Sequence, residues 1–211
     1  MSIFDVNNPF WQFLNKMADL FLLSLLWMLC SLPVITFGAS TTAFLAILME
    51  LNQNLEGSIF KDFFRKFRRF FKRATLVWLI QLPLLLFILL DLRICSVMKQ
   101  AAGWFLLPII TVIGLMFLIL CLFVWPLLAN SAAALRQIWT MACYITAAYL
   151  PHGISMLLLV GIAAVAVSYF PSLCILVPGL VCYQYARIYV WIFGRDLRVR
   201  TILNGNWIQE N

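Results

Sequence analysis

Residues 59–98 read IFKDFFRKFRRFFKRATLVWLIQLPLLLFILLDLRICSVM, and the change of character at Arg73 decides what kind of protein this is. Before it, phenylalanines at 60, 63, 64, 67, 70 and 71 recur at helical spacing. Lys61, Arg65, Lys66, Arg68, Arg69, Lys72 and Arg73 fill the opposite face. A helix with one aromatic and one cationic face lies in a membrane interface. Beside an anionic leaflet each basic residue adds about 1 kcal/mol of attraction. After Arg73 no charge occurs until Asp91. That apolar stretch is a membrane span, 74–98, with Pro83 as a candidate kink. The same seven basic residues are the candidate surface for anionic lipid, or for a partner docked by helix-in-groove packing.

The rest of the chain repeats the apolar half of that stretch. Of 211 residues, 64% are hydrophobic and only 11% charged, and the mean hydropathy is +0.99. One soluble core cannot hold so much apolar surface, and a disordered chain would carry far less. The fold class is therefore all-α, a polytopic transmembrane helical bundle forming one integral membrane domain over 1–211. The solvent for much of it is lipid.

Outward from the opening stretch, further spans fall at 10–31, 34–51, 104–128, 153–170 and 172–193. Asn8-Pro9 marks the first start, with Asn as cap and Pro at the first helical position. Lys16 is the first basic residue, so no positively charged leader region precedes the apolar run, a cleavable leader is not expected and the first helix should remain. Residues 34–51 are the ambiguous piece: either a second span or a half-buried helix that never crosses. Gly38, Thr42 and Ala46 are spaced as a small-residue face on which another helix can pack closely. Residues 131–150 form a weaker amphipathic stretch. A faint repeat pairs Pro33 and Gly38-Ala39-Ser40 with Pro126 and Ser131-Ala132-Ala133.

The net charge of +7 is explained by the positive-inside rule without invoking nucleic acid. With six spans, twelve basic residues lie on one side and only Lys99 on the other. Both termini, including the tail 195–211, are then cytoplasmic. With five spans the amino terminus moves outside, and the division is eleven against two.

An ionisable residue inside a span is a functional candidate. Asp19 and Arg187 lie at similar depths in the six-span reading and form a candidate intramembrane ion pair. Asp91 and Arg93 are read as wetted by headgroups, and the single histidine, His152, as an interfacial polar residue. Gln81 and Gln184 are read as amides that join helices. The six cysteines show no metal or disulfide spacing and are read as packing residues. No catalytic motif, cofactor or metal site is expected, and no enzyme activity.

NPFWQFLNKMADLFLLSLLWMLCSLPVITFGASTTA (8–43), EGSIFKDFFRKFRRFFKRAT (56–75) and YARIYVWIFGRDL (185–197) together resemble the YesL-like family of bacterial membrane proteins. That family's domain has no established function. The resemblance implies a small protein of the bacterial plasma membrane, of a kind often encoded beside carbohydrate-uptake and glycan-degrading genes. It brings no catalytic or binding residues. The expected function is a non-enzymatic accessory of carbohydrate uptake, binding a transporter subunit. The alternatives are an autonomous small-solute transporter using Asp19 and Arg187, and a lipid-binding scaffold.

Overall fold

The computed structural model describes residues 9–52, 58–97, 101–131, 133–169 and 176–195. Among these, every regular element is a helix. The order is α1 (Pro9–Ser31), a 3₁₀ turn (Val34–Thr36), α2 (Phe37–Asn52), α3 (Ile59–Val97), α4 (Ala101–Asn130), α5 (Leu135–Ala148), α6 (Leu150–Tyr169) and α7 (Leu176–Arg195). Four segments are long and apolar enough to cross a membrane: 34–52, 59–94, 107–130 and 150–169. The tail expected at 195–211 lies outside the described residues beyond Arg195.

The boundary expected at Arg73 does not exist. Residues 59–97 form one unbroken helix of 39 residues. The reason is a single buried seam. Phe63, Phe70, Ala74, Val77 and Gln81 are all buried, at intervals of seven, four, three and four. That spacing keeps one helical face turned inward across the change of composition. The separate interfacial helix is therefore corrected to the first half of a longer rod. Ser58 accepts the first backbone bond, from Asp62 N at 2.9 Å. Pro83 lies inside α3 and the helix continues past it.

α1 and α2 close a tight hairpin. Leu32-Pro33 ends α1, and Thr36 Oγ1 donates to Cys30 O at 2.7 Å across the turn. Trp27 of α1 stacks obliquely on Phe44 and donates to Thr41 Oγ1 at 3.2 Å. α2 then runs antiparallel to α3: Gly38 meets Ala74 and Trp78, and Glu50 meets Lys66. α3 and α4 form the next antiparallel pair, touching at Ile88 with Gly114 and at Trp78 with Trp125.

α5 falls in the stretch read as weakly amphipathic. Its apolar face is a buried seam, Ile138, Ala142 and Ile145, and packs on α4. Gln137 Oε1 accepts from Ala134 N at 3.2 Å, closing the start of α5. Because α6 begins against Ile119 and Phe123 of α4, α5 must run back along α4. That extra reversal alters the end of the chain. Gly179 of α7 lies against Leu20 and Ser24 of α1, whereas Tyr185 and Tyr189 reach Leu122 of α4. α7 thus runs the same way as α1, where the six-span reading has the two opposed.

The faint repeat is not reproduced. Pro33 precedes a 3₁₀ turn, whereas Pro126 is inside α4.

Candidate functional site

The small-residue face on α2 is a point where three helices of the bundle pack closely. A Cβ added at Gly38 would stand 2.8 Å from Ala74 O, 2.9 Å from Trp78 Cβ and 2.9 Å from the Trp125 ring. Backbone and side chains of α3 and α4 thus converge where α2 has no side chain. Thr42 and Ala46 continue the face, and both are buried. Thr42 Oγ1 donates to Gly38 O at 2.8 Å, so its hydroxyl is satisfied within α2. Trp78 Nε1 donates to Val34 O at 2.8 Å and ties the turn to α3.

The basic half of α3 divides by helical position. Lys61, Arg65, Arg68, Arg69, Lys72 and Arg73 are exposed. Lys66 is not, and its place on the cationic surface is corrected. Its side chain is 12% exposed, pairs with Glu50 and lies 3.4 Å from Ala46 O. Position 66 falls beside the buried seam, so its ammonium turns to the end of α2. There it complements the negative end of the α2 dipole as well as the carboxylate. Arg65 pairs with Asp62 at 2.5 Å on the outer side. Arg69 stands 5.7 Å from the centroid of Phe70.

A cavity of about 230 Å³ opens where α2 and α4 end against α3; Glu50, Lys66, Arg69 and Asn130 supply its polar lining. No single sequence motif marks it, because its residues come from three helices. Only the antiparallel register of α2 on α3 brings Glu50 to Lys66.

The structure does not bring Asp19 and Arg187 together. Gly179 is abreast of Leu20, and Arg187 lies eight residues further along α7, about 12 Å at 1.5 Å per residue. Arg187 is exposed, Asp19 is half-buried, and no ion pair joins them. Asp91 is half-buried and Arg93 exposed near the far end of α3.

His152 stacks on Trp191 at 5.4 Å and meets the edge of Tyr149 at 6.0 Å, so it joins α6 to α7. Gln81 is 2% exposed, yet neither end of its amide has a hydrogen-bond partner among the described residues. Gln184 is exposed. Cys30, Cys121, Cys143 and Cys182 are free thiols. Among the described residues, no three His, Cys, Asp or Glu side chains gather as metal ligands would.

Known proteins match part of this sequence. Residues 20–92 match the family described as a protein of unknown function, DUF624. That segment runs from within α1, through α2, to near the end of α3. Over 149 residues the chain is 27% identical to the uncharacterized protein YesL of Bacillus subtilis (strain 168), covering 69% of this chain and 70% of that protein. The chain is thus similar to YesL over about two thirds of its length. Gly38, Ala46, Glu50 and Lys66, which join α2 to α3, and Thr42 beside them all fall inside the matched segment. No solved structure matches the chain.

Proposed function

We propose that this protein is a multi-pass component of a bacterial plasma membrane that works by binding a membrane transport system, without chemistry of its own. One observation carries this reading. α3 is a single rod whose apolar half faces outward as lipid-facing surface and whose basic half presents exposed arginines at the other end. A rigid element of this kind holds a charged surface at a fixed height above a bilayer. It suits recognition more than turnover.

The end bearing the α3 basic cluster belongs in the cytoplasm by the positive-inside rule, and the start of α1 lies at that same end. α3 and α4 cross as a hairpin. α2, with 16 residues, is only about 24 Å long, shorter than the roughly 30 Å hydrocarbon layer. It is read as an inner helix walled by protein, the half-buried alternative to a second span. Because α1 and α2 form one hairpin that starts and ends at the basic end of α3, α1 returns with α2 instead of crossing as in the five-span reading, and reporter fusions at the start of α1 should report a cytoplasmic position.

The partner class, a carbohydrate-uptake system, comes from the YesL-like resemblance and from nothing in the geometry. The test is a mild-detergent pull-down from the native membrane with partners identified by mass spectrometry. Enrichment of sugar-transporter permease or binding subunits supports the reading. A partner-free protein that moves sugar across liposomes unaided would overturn it. The separation of Asp19 from Arg187 removes the residue pair on which a transporter reading stood.

A further inference from the structure

The unbroken course of α3 has a consequence for its outer aromatic face. A helix that continues straight into the bilayer cannot also lay its first fifteen residues flat on the surface. Phe60 precedes Arg73 by thirteen residues, about 20 Å along the axis. The headgroup layer of one leaflet is only about 5–8 Å thick. With α3 set along the membrane normal and Arg73, its last basic residue before the apolar run, at the hydrocarbon edge, Phe60 and Phe64 stand beyond the headgroups, where lipid tails cannot cover them.

Both rings are nonetheless open. Phe60 is 57% and Phe64 44% exposed, and they pair with centroids 5.0 Å apart. Arg65, 74% exposed in its side chain, and the exposed Arg68 flank them. Two shallow grooves cross this face, one bounded by Phe64, Arg65, Arg68 and Arg69, the other by Phe64, Phe67, Arg68 and Phe71. Phe60, Phe64 and Arg68 follow at four-residue steps, so they form one line along the helix. Adjacent apolar rings edged by cations match a helix with apolar residues on one side and carboxylates beside them. The acidic residue on this stretch, Asp62, is already engaged by Arg65.

We propose that the outer face of the first half of α3, built on Phe60, Phe64, Arg65 and Arg68, docks an acidic amphipathic helix of a soluble protein. This rests on the accessory reading above, but its test reads a binding face and not a transport partner, so the two fail separately.

The experiment uses the full chain in lipid nanodiscs. Phe60→Cys and Phe64→Cys variants are reacted with a membrane-impermeant maleimide, against the unsubstituted chain as background for exposed Cys143. The probe is a synthetic Glu/Leu amphipathic helix, with its scrambled sequence as control. Both positions should label equally fast in phosphatidylcholine discs and in discs containing phosphatidylglycerol. The amphipathic peptide should slow labelling about tenfold, and the scrambled one should not. Arg65→Gln with Arg68→Gln, which keeps the phenylalanines, should weaken peptide binding by about the same factor. Protection by phosphatidylglycerol alone would mean that the face lies on the membrane, and would overturn the proposal. Equal effects of peptide and scrambled control would overturn it as well.

Discussion

α2 and the second half of α3 are both predominantly apolar helices, yet they have opposite surroundings. Of the membrane-length window containing α2, 61% is buried by protein, against 11% for α3. Leu48 of α2 is fully buried, whereas Leu79 of α3 is 68% exposed. The difference is not one of hydrophobicity. α2 carries Gly38, Ser40, Thr42, Ala43 and Ala46, small enough for neighbours to approach on several sides. α3 beyond Trp78 is built of Leu, Ile and Phe, whose bulk faces lipid equally well. In a membrane protein small residues, more than greasy ones, mark the inside.

The largest effect should come from filling the contact at Gly38, where the backbone of α3 and two tryptophans converge. Gly38→Leu would push a side chain into Ala74 O, Trp78 and Trp125, and should leave no monodisperse folded protein by size-exclusion chromatography. Gly38→Ala should cost about 1–3 kcal/mol of stability by overpacking. Gly161 of α6 has nothing within 4 Å, so Gly161→Ala should cause no loss in the same thermal melts. If the two alanine variants behave alike, the contrast between packed and lipid-facing helices is wrong.

Next comes truncation. Leu48→Ala should cost about 2–5 kcal/mol, as a cavity opens in a filled core. Leu79→Ala should stay within about 0.5 kcal/mol, as a surface change does. Denaturant titration in detergent reads both.

A smaller difference separates two cations one residue apart. Lys66→Met strands Glu50, which is itself 45% exposed in its side chain. The cost should be about 1–2 kcal/mol, less than the 3–5 of a fully buried pair. Arg65→Gln, on the outer face, should be nearly silent. Equal costs would show that the two share one environment.

The smallest change should be a gain. Gln81 holds an unbonded amide on the buried seam. Gln81→Met removes an unsatisfied polar group at similar volume and should raise stability by up to about 1 kcal/mol. A clear loss would mean that the amide has a polar partner in the membrane.

Much of this protein is written in local pattern. Helices long and apolar enough to cross a membrane, helix as the regular element throughout the described residues, the start of α1 at Pro9 and the close approach at Gly38 all follow from composition, caps and small-residue spacing. These are short-range properties, fixed by each residue's own chemistry and its neighbours three or four positions away. The ends of α1 and α4 fall within a few residues of where the apolar runs stop, for the same reason.

Three features were set by packing between distant segments. Composition changes at Arg73 while the inward seam does not, so only the presence of α2 along that seam shows one helix in place of two. Lys66 looks like its six basic neighbours until α2 arrives and delivers Glu50. The shared direction of α1 and α7 depends on α5 packing back along α4, a weak amphipathic signal whose meaning lies in what it touches. Helical periodicity says which face of a helix is apolar. It cannot say whether lipid or another helix covers that face, because both are equally free of water.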